Sequence, residues 1–103
     1  MPRTKPFEPT TLSRATGQVL REVMTESAGS VAAFCEMYGH DRRNIGRVIS
    51  GHRDAQMGVL YGYVVVNAGQ DWPRFMLRVE GRMRELLARE TPGSMRDTAA
   101  LPK

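Results

Sequence analysis

Between Arg42 and Arg53 the sequence RRNIGRVISGHR groups Arg42, Arg43, Asn44 and Arg47 on little more than one helical turn, and His52 and Arg53 follow. A guanidinium presents a planar fork of donors that fits the two acceptors of a guanine edge or a phosphate. A carboxamide offers one donor and one acceptor, which fits an adenine edge. Each such pair is worth about 1 to 3 kcal/mol of discrimination between bases. The bland alternative is solvated surface charge balanced by Asp41 and Asp54. Against it stands the helix macrodipole: uncompensated cations at a helix start oppose it, so their presence favours a phosphate-rich partner.

These side chains need a helix held at its start and stopped at its end. Ser30 to Gly51, SVAAFCEMYGHDRRNIGRVISG, reads as two short helices, Val31 to Tyr38 and Arg42 to Ser50, joined by a turn at Gly39. Ser30 and Asp41 suit N-caps, and Gly39 and Gly51 suit left-handed stops. Ala32, Phe34, Cys35 and Tyr38 face inward on the first helix, and Ile45 and Val48 on the second. Small Ala32 and Ala33 predict a close crossing between the two. Gly46 costs the second helix about 1 kcal/mol relative to alanine, and Ile49 falls on its outer side. The pattern is a helix-turn-helix, with the second helix as the reading element.

Before the motif, Leu12, Ala15, Val19, Leu20, Val23 and Met24 recur at helical steps from Thr10 to Ser27, with Arg14, Gln18, Arg21, Glu22 and Glu26 on the other side. Thr10 or Thr11 caps this helix and Ala28-Gly29 ends it. Gly51 to Asp54 is a turn in which His52 and Arg53 are placed to meet phosphates. Ala55 to Asn67 is rich in valine, yet Met57, Leu60, Tyr61 and Val64 fall at helical steps. A lone strand would leave its backbone groups unpaired, so a helix is expected. After Asp71 a fifth helix runs to about Glu90, with Trp72, Phe75, Met76, Val79, Met83, Leu86 and Leu87 on one stripe and Arg74, Arg78 and Arg82 opposite. Trp72 and Phe75 are expected to pack inward, and Met83, Leu86 and Leu87 to form an oligomer contact.

The chain has 103 residues and a formal net charge of +4, and all its basic residues but Lys5 and Lys103 are arginine. That size suits one small helical core and disfavours a large catalytic cleft. Arginine excess favours partners bearing phosphate or carboxylate. The single cysteine, Cys35, excludes an intramolecular disulfide and reads as a small packed hydrophobe. His40 and His52 lack carboxylates at ligand spacing, so no metal or cofactor is expected. No nucleophile–base arrangement or phosphate-cradling glycine loop is legible, so an enzyme is not expected. No apolar run is long enough to span a bilayer, and a cytoplasmic, nucleoid-associated location follows. The domain limits read as a basic arm at 1–9, a DNA-binding unit at 10–69, a packing or oligomerisation helix at 70–90 and a disordered tail at 91–103.

From Gly17 to Val66 this pattern resembles the Cro/C1-type, or Xre-like, helix-turn-helix regulators of phages and mobile elements. The resemblance is carried by Ser30, Phe34, Cys35, Gly39, Ile45, Val48 and Gly51 at the family's spacing. It implies an all-α, five-helix domain of the lambda-repressor-like type with a long amphipathic C-terminal helix. It also implies base contacts from Asp41, Arg42, Arg43, Asn44 and Arg47, and phosphate contacts from Ser30, Val31, His52 and Arg53, with Arg3 and Lys5 of the arm along the DNA. The chain departs from the family at Gly29, His40, Ile49 and Asn67. The function implied is a sequence-specific double-stranded DNA-binding transcriptional regulator, a dimeric repressor on a two-fold site. The alternatives are a tetrameric activator on direct repeats, or a helix-turn-helix scaffold turned to binding a protein partner through its last helix.

Overall fold

Thr10 starts the first helix with a reciprocal cap: its hydroxyl accepts from Ser13 N–H at 3.0 Å, and Ser13 Oγ accepts from Thr10 N–H at 2.9 Å. From there the computed structural model, which describes residues 8–90, is all-α. The order is α1 (Thr11–Ala28), α2 (Val31–Tyr38), α3 (Arg42–Ile49), α4 (Met57–Tyr61), a π-helical continuation at Gly62–Asn67, and α5 (Trp72–Glu90). No strand occurs among the described residues. Arg3, Lys5 and the 91–103 tail lie outside them. No helix among the described residues is long and apolar enough to cross a membrane.

α1 is the hub, packing against α2, α3, α5 and the π segment. It is therefore buried on more than one stripe: Ala15, Val19, Leu20, Val23 and Met24 are fully enclosed, joined by Phe34, Ile45, Val64, Phe75 and Val79 from the other elements. The expected stripe is shifted at its start, since Leu12 is 52% exposed and Ser13 is buried instead. On α2 Phe34 and Cys35 go inside, but Ala32 is exposed.

The close crossing lies elsewhere than the Ala32–Ala33 pair. Gly17 presses on the C-terminal backbone of α3, where an added Cβ would sit 2.4 Å from the Val48 carbonyl oxygen and 2.3 Å from that of Ile49. Ile49 thus half-packs against α1 rather than pointing away. Gly51, at φ 85°, ends α3 with paired backbone bonds, its own N–H to Val48 O at 3.0 Å and His52 N–H to Arg47 O at 2.9 Å. The Gly51 carbonyl then accepts from Ser13 Oγ at 2.8 Å, a buried bond that fastens the end of α3 to the start of α1.

The valine-rich segment is helical, but half of it is π-helix. Three successive β-branched residues, Val64 to Val66, resist tight α winding, and Ala68 N–H reaches back five residues to Tyr63 O at 3.0 Å.

α5 belongs to this core rather than lying beside a finished one: Phe75, Val79 and Leu86 are buried against it. The arginines expected on its free face divide. Arg78 bonds Glu22 and Glu26 at 3.0 Å, and Arg82 bonds Glu22 at 2.6 Å and Gln18 at 3.1 Å, so both clamp α5 to α1. Burial alone would raise the Glu22 carboxyl, but its bonds to Arg82 and Arg78 outweigh that and hold it below its ordinary value.

Two outcomes follow. Gly17→Ala drives a methyl into backbone that cannot step aside and lowers unfolding free energy by about 1 to 3 kcal/mol, read by denaturant melts; an unchanged midpoint contradicts the close approach. Glu22 has a depressed folded-state pKa, so its stabilisation is present above the ordinary glutamate value and is lost as pH falls through the depressed one. The melting-temperature gap between the parent and Glu22→Gln is therefore full at neutral pH and narrows as pH falls below the ordinary glutamate range, whereas a gap independent of pH argues that the clamp carries no charge energy.

Candidate nucleic-acid interface

α3 begins at Asp41, whose carboxylate accepts from Arg43 N–H at 3.0 Å. One oxygen of Asp41 therefore serves as the cap, and the residue is exposed. Arg42, Arg43, Asn44 and Arg47 are all exposed, while Ile45 and Val48 on the opposite side are buried, so the helix is fixed by two apolar anchors and presents a polar outer surface. Arg42, Arg43 and Arg47 make no ion pair or side-chain hydrogen bond to any described residue. Arg78, Arg82 and Arg84 on α5 are all paired with glutamates. Cationic charge is left uncompensated along the short helix, whereas the middle of the long one, from Arg78 to Arg84, is paired.

Asn44 is not free in the same way. Arg53, from the turn after α3, donates through Nη1 to Asn44 Oδ1. The bond fixes the carboxamide and ties the turn to the helix surface, while the Asn44 amino group stays able to donate. His52 is exposed, its Nδ1 3.0 Å from Ser50 Oγ.

Ser30 caps α2, its hydroxyl accepting from Ala33 N–H at 3.0 Å. The Val31 and Ala32 N–H groups at that helix start are not taken by the cap. A shallow groove joins this helix start to α3: Ser30 and Val31 line it with Gly46 and Ile49, and Arg21 and Thr25 of α1 form its far side. Gly46 meets nothing within 4 Å of a notional Cβ, so its surface is flat and open.

Arg21 was not among the residues expected to make contacts. It is exposed and unpaired, and it borders the α2 start. The signal was in the spacing: Gln18, Glu22 and Glu26 turn to α5, whereas Arg21 and Thr25, also one turn apart, turn to α2 and α3.

The other expected sites fare differently. Met83 is half-buried against the core and Leu86 only 8% exposed, so the single chain already uses both; Leu87, at 39%, stays open. Cys35 is buried, and burial pushes its thiol up, so it stays protonated and packed. Among the described residues no group of three or more His, Cys, Asp or Glu side chains is placed to hold a metal ion.

His40 is half-buried in an aromatic cluster. Its ring stacks on Phe34, meets Tyr63 edge-on with centroids 4.9 Å apart, and places Nε2 2.7 Å from Asn67 Oδ1. Two of the four departures noted in the sequence, His40 and Asn67, are thus one hydrogen-bonded pair, which joins the α2–α3 turn to the end of the π segment.

The described residues accordingly define an all-α, five-helix domain with an arginine-bearing third helix. No family model, no curated protein and no solved structure matches the chain.

Because His40 and Asn67 satisfy each other, replacing one strands the other. His40→Leu and Asn67→Leu each cost about 1 kcal/mol, and the double variant recovers most of the summed loss; strictly additive costs in thermal or denaturant melts show that the pair is not coupled.

Proposed function

We propose that the protein is a sequence-specific double-stranded DNA-binding regulator of the lambda-repressor-like helix-turn-helix type, acting as a dimeric repressor with α3 in the major groove. The observation that carries this reading is the unpaired, exposed group Arg42, Arg43 and Arg47 on a helix otherwise anchored by Ile45 and Val48. A helix held from below and bare above is what groove entry requires. Arg42 and Arg43 lie where such a helix meets base edges, with Arg47 one turn on.

Phosphate contacts fit the surroundings. The open N–H groups of Val31 and Ala32 and the Arg21 guanidinium flank one side of α3, and His52 and Arg53 flank the other. Arg53 has a double role, reaching backbone while orienting Asn44 toward a base. Two copies on a two-fold site would place the half-sites about 34 Å apart, one turn of duplex.

Selection of random duplex DNA by the purified chain at near-physiological salt tests the proposal. The expected outcome is a palindromic motif. Arg43→Ala and Arg47→Ala each weaken the selected site by about 1 to 3 kcal/mol and relax one base position. Arg21→Ala lowers affinity on all sequences and flattens the salt slope by about one. Arg53→Ala does the same and also loosens the base preference lost in Asn44→Ala. An unenriched pool, or recognition-helix variants equal to the parent, overturns the reading.

A further inference from the structure

The outward face of α5 exposes what a solitary domain has no use for. Leu77 is 68% exposed and forms one wall of a shallow, mostly apolar recess that Leu12, Pro73, Met76, Val79 and Met83 complete, with Glu80 at its edge. Leu12 and Met76 continue that surface into a second recess of about 140 Å³, closed by Leu60 and Phe75 and edged by Arg53 and Met57 next to the α3 turn. A projecting leucine and an apolar hollow thus share one face, as a self-complementary contact requires.

We propose that this face binds a second copy of the chain, with α5 crossing α5 antiparallel near Leu77 and each Leu77 entering the other copy's recess. The charges support that occupant. In such a crossing, residues equally spaced about Leu77 meet, so Arg74 of one copy faces the partner's Glu80 and Pro73 faces the partner's Gly81. Arg74 is exposed and makes no ion pair among the described residues. Glu80 uses one carboxylate oxygen on Arg84 at 2.7 Å and keeps the other open. Gly81 is exposed and has nothing within 4 Å of a notional Cβ, so the partner helix can approach there. The contact shares Met83 with the expected Met83–Leu86–Leu87 surface but centres on Leu77, since Leu86 is already covered. It deepens the proposed function by locating its dimer. Because the second recess ends at Met57 and Arg53, the pairing also lies beside the turn that follows α3.

Sedimentation of the full chain without DNA decides it. The parent dimerises at micromolar concentration. Leu77→Glu, at an exposed position, leaves the circular-dichroism melt unchanged and raises the dimer dissociation constant at least about tenfold. Arg74→Glu weakens the dimer, and Arg74→Glu with Glu80→Arg in one chain restores most of it. A parent that stays monomeric, a dimer indifferent to Leu77→Glu, or a charge swap that restores nothing overturns the inference. A dimer with these properties that selects no DNA keeps the interface and removes the DNA reading; DNA selection by a strictly monomeric chain does the reverse.

Discussion

The fold depends on how closely α1 approaches the end of α3. Gly17 has no side chain, so the Val48 and Ile49 carbonyls come within van der Waals reach of the α1 backbone, and Ser13 completes the joint through its buried bond to the Gly51 carbonyl. Everything presented by α3 inherits its direction from that joint. A larger residue at position 17 would change not one contact but the angle at which a whole row of arginines faces outward. A short helix of low intrinsic stability can be a rigid platform because its end is pinned in this way.

The second constraint is an allocation of charge. α1 is acidic toward α5 and basic toward α2 and α3, and it meets each neighbour with a different set of residues one turn apart. Glu22 and Glu26 are taken up by Arg78 and Arg82 of α5, and neither pairs with an arginine of α3. The clamp stabilises partly exposed pairs only modestly. Its larger effect is to decide which guanidiniums remain available.

Much of this was legible in the sequence. Helix limits were set by residues with one conformational job, such as Ser30, Gly39, Asp41 and Gly51, and these register locally. The inward Ile45 and Val48 and the outward arginines followed from helical periodicity. What was hidden required a second element to be in place. Gly17 looks like any helical glycine until α3 lies on it. Arg78 and Arg82 look like a solvated face until Glu22 and Glu26 stand opposite. His40 and Asn67, separately out of pattern, make sense only as a pair. Periodicity put Leu86 and Leu87 on one stripe and could not tell that the first is covered by the chain's own core and the second exposed. The π winding at Gly62–Asn67 showed itself only as a conflict between β-branched propensity and helical spacing.

The segregation of paired from unpaired arginines gives the molecule an electric dipole moment. Where α1 meets α5, Arg78 and Arg82 face Glu22 and Glu26, and opposite charges that close largely cancel one another's field. The side bearing α3 sums to a positive potential extending about a Debye length, roughly 8 Å at physiological ionic strength. A diffusing copy near any polyanion therefore feels a torque before contact that turns α3 forward. The same glutamates that fasten the helices together thus bias the orientation in which the protein arrives.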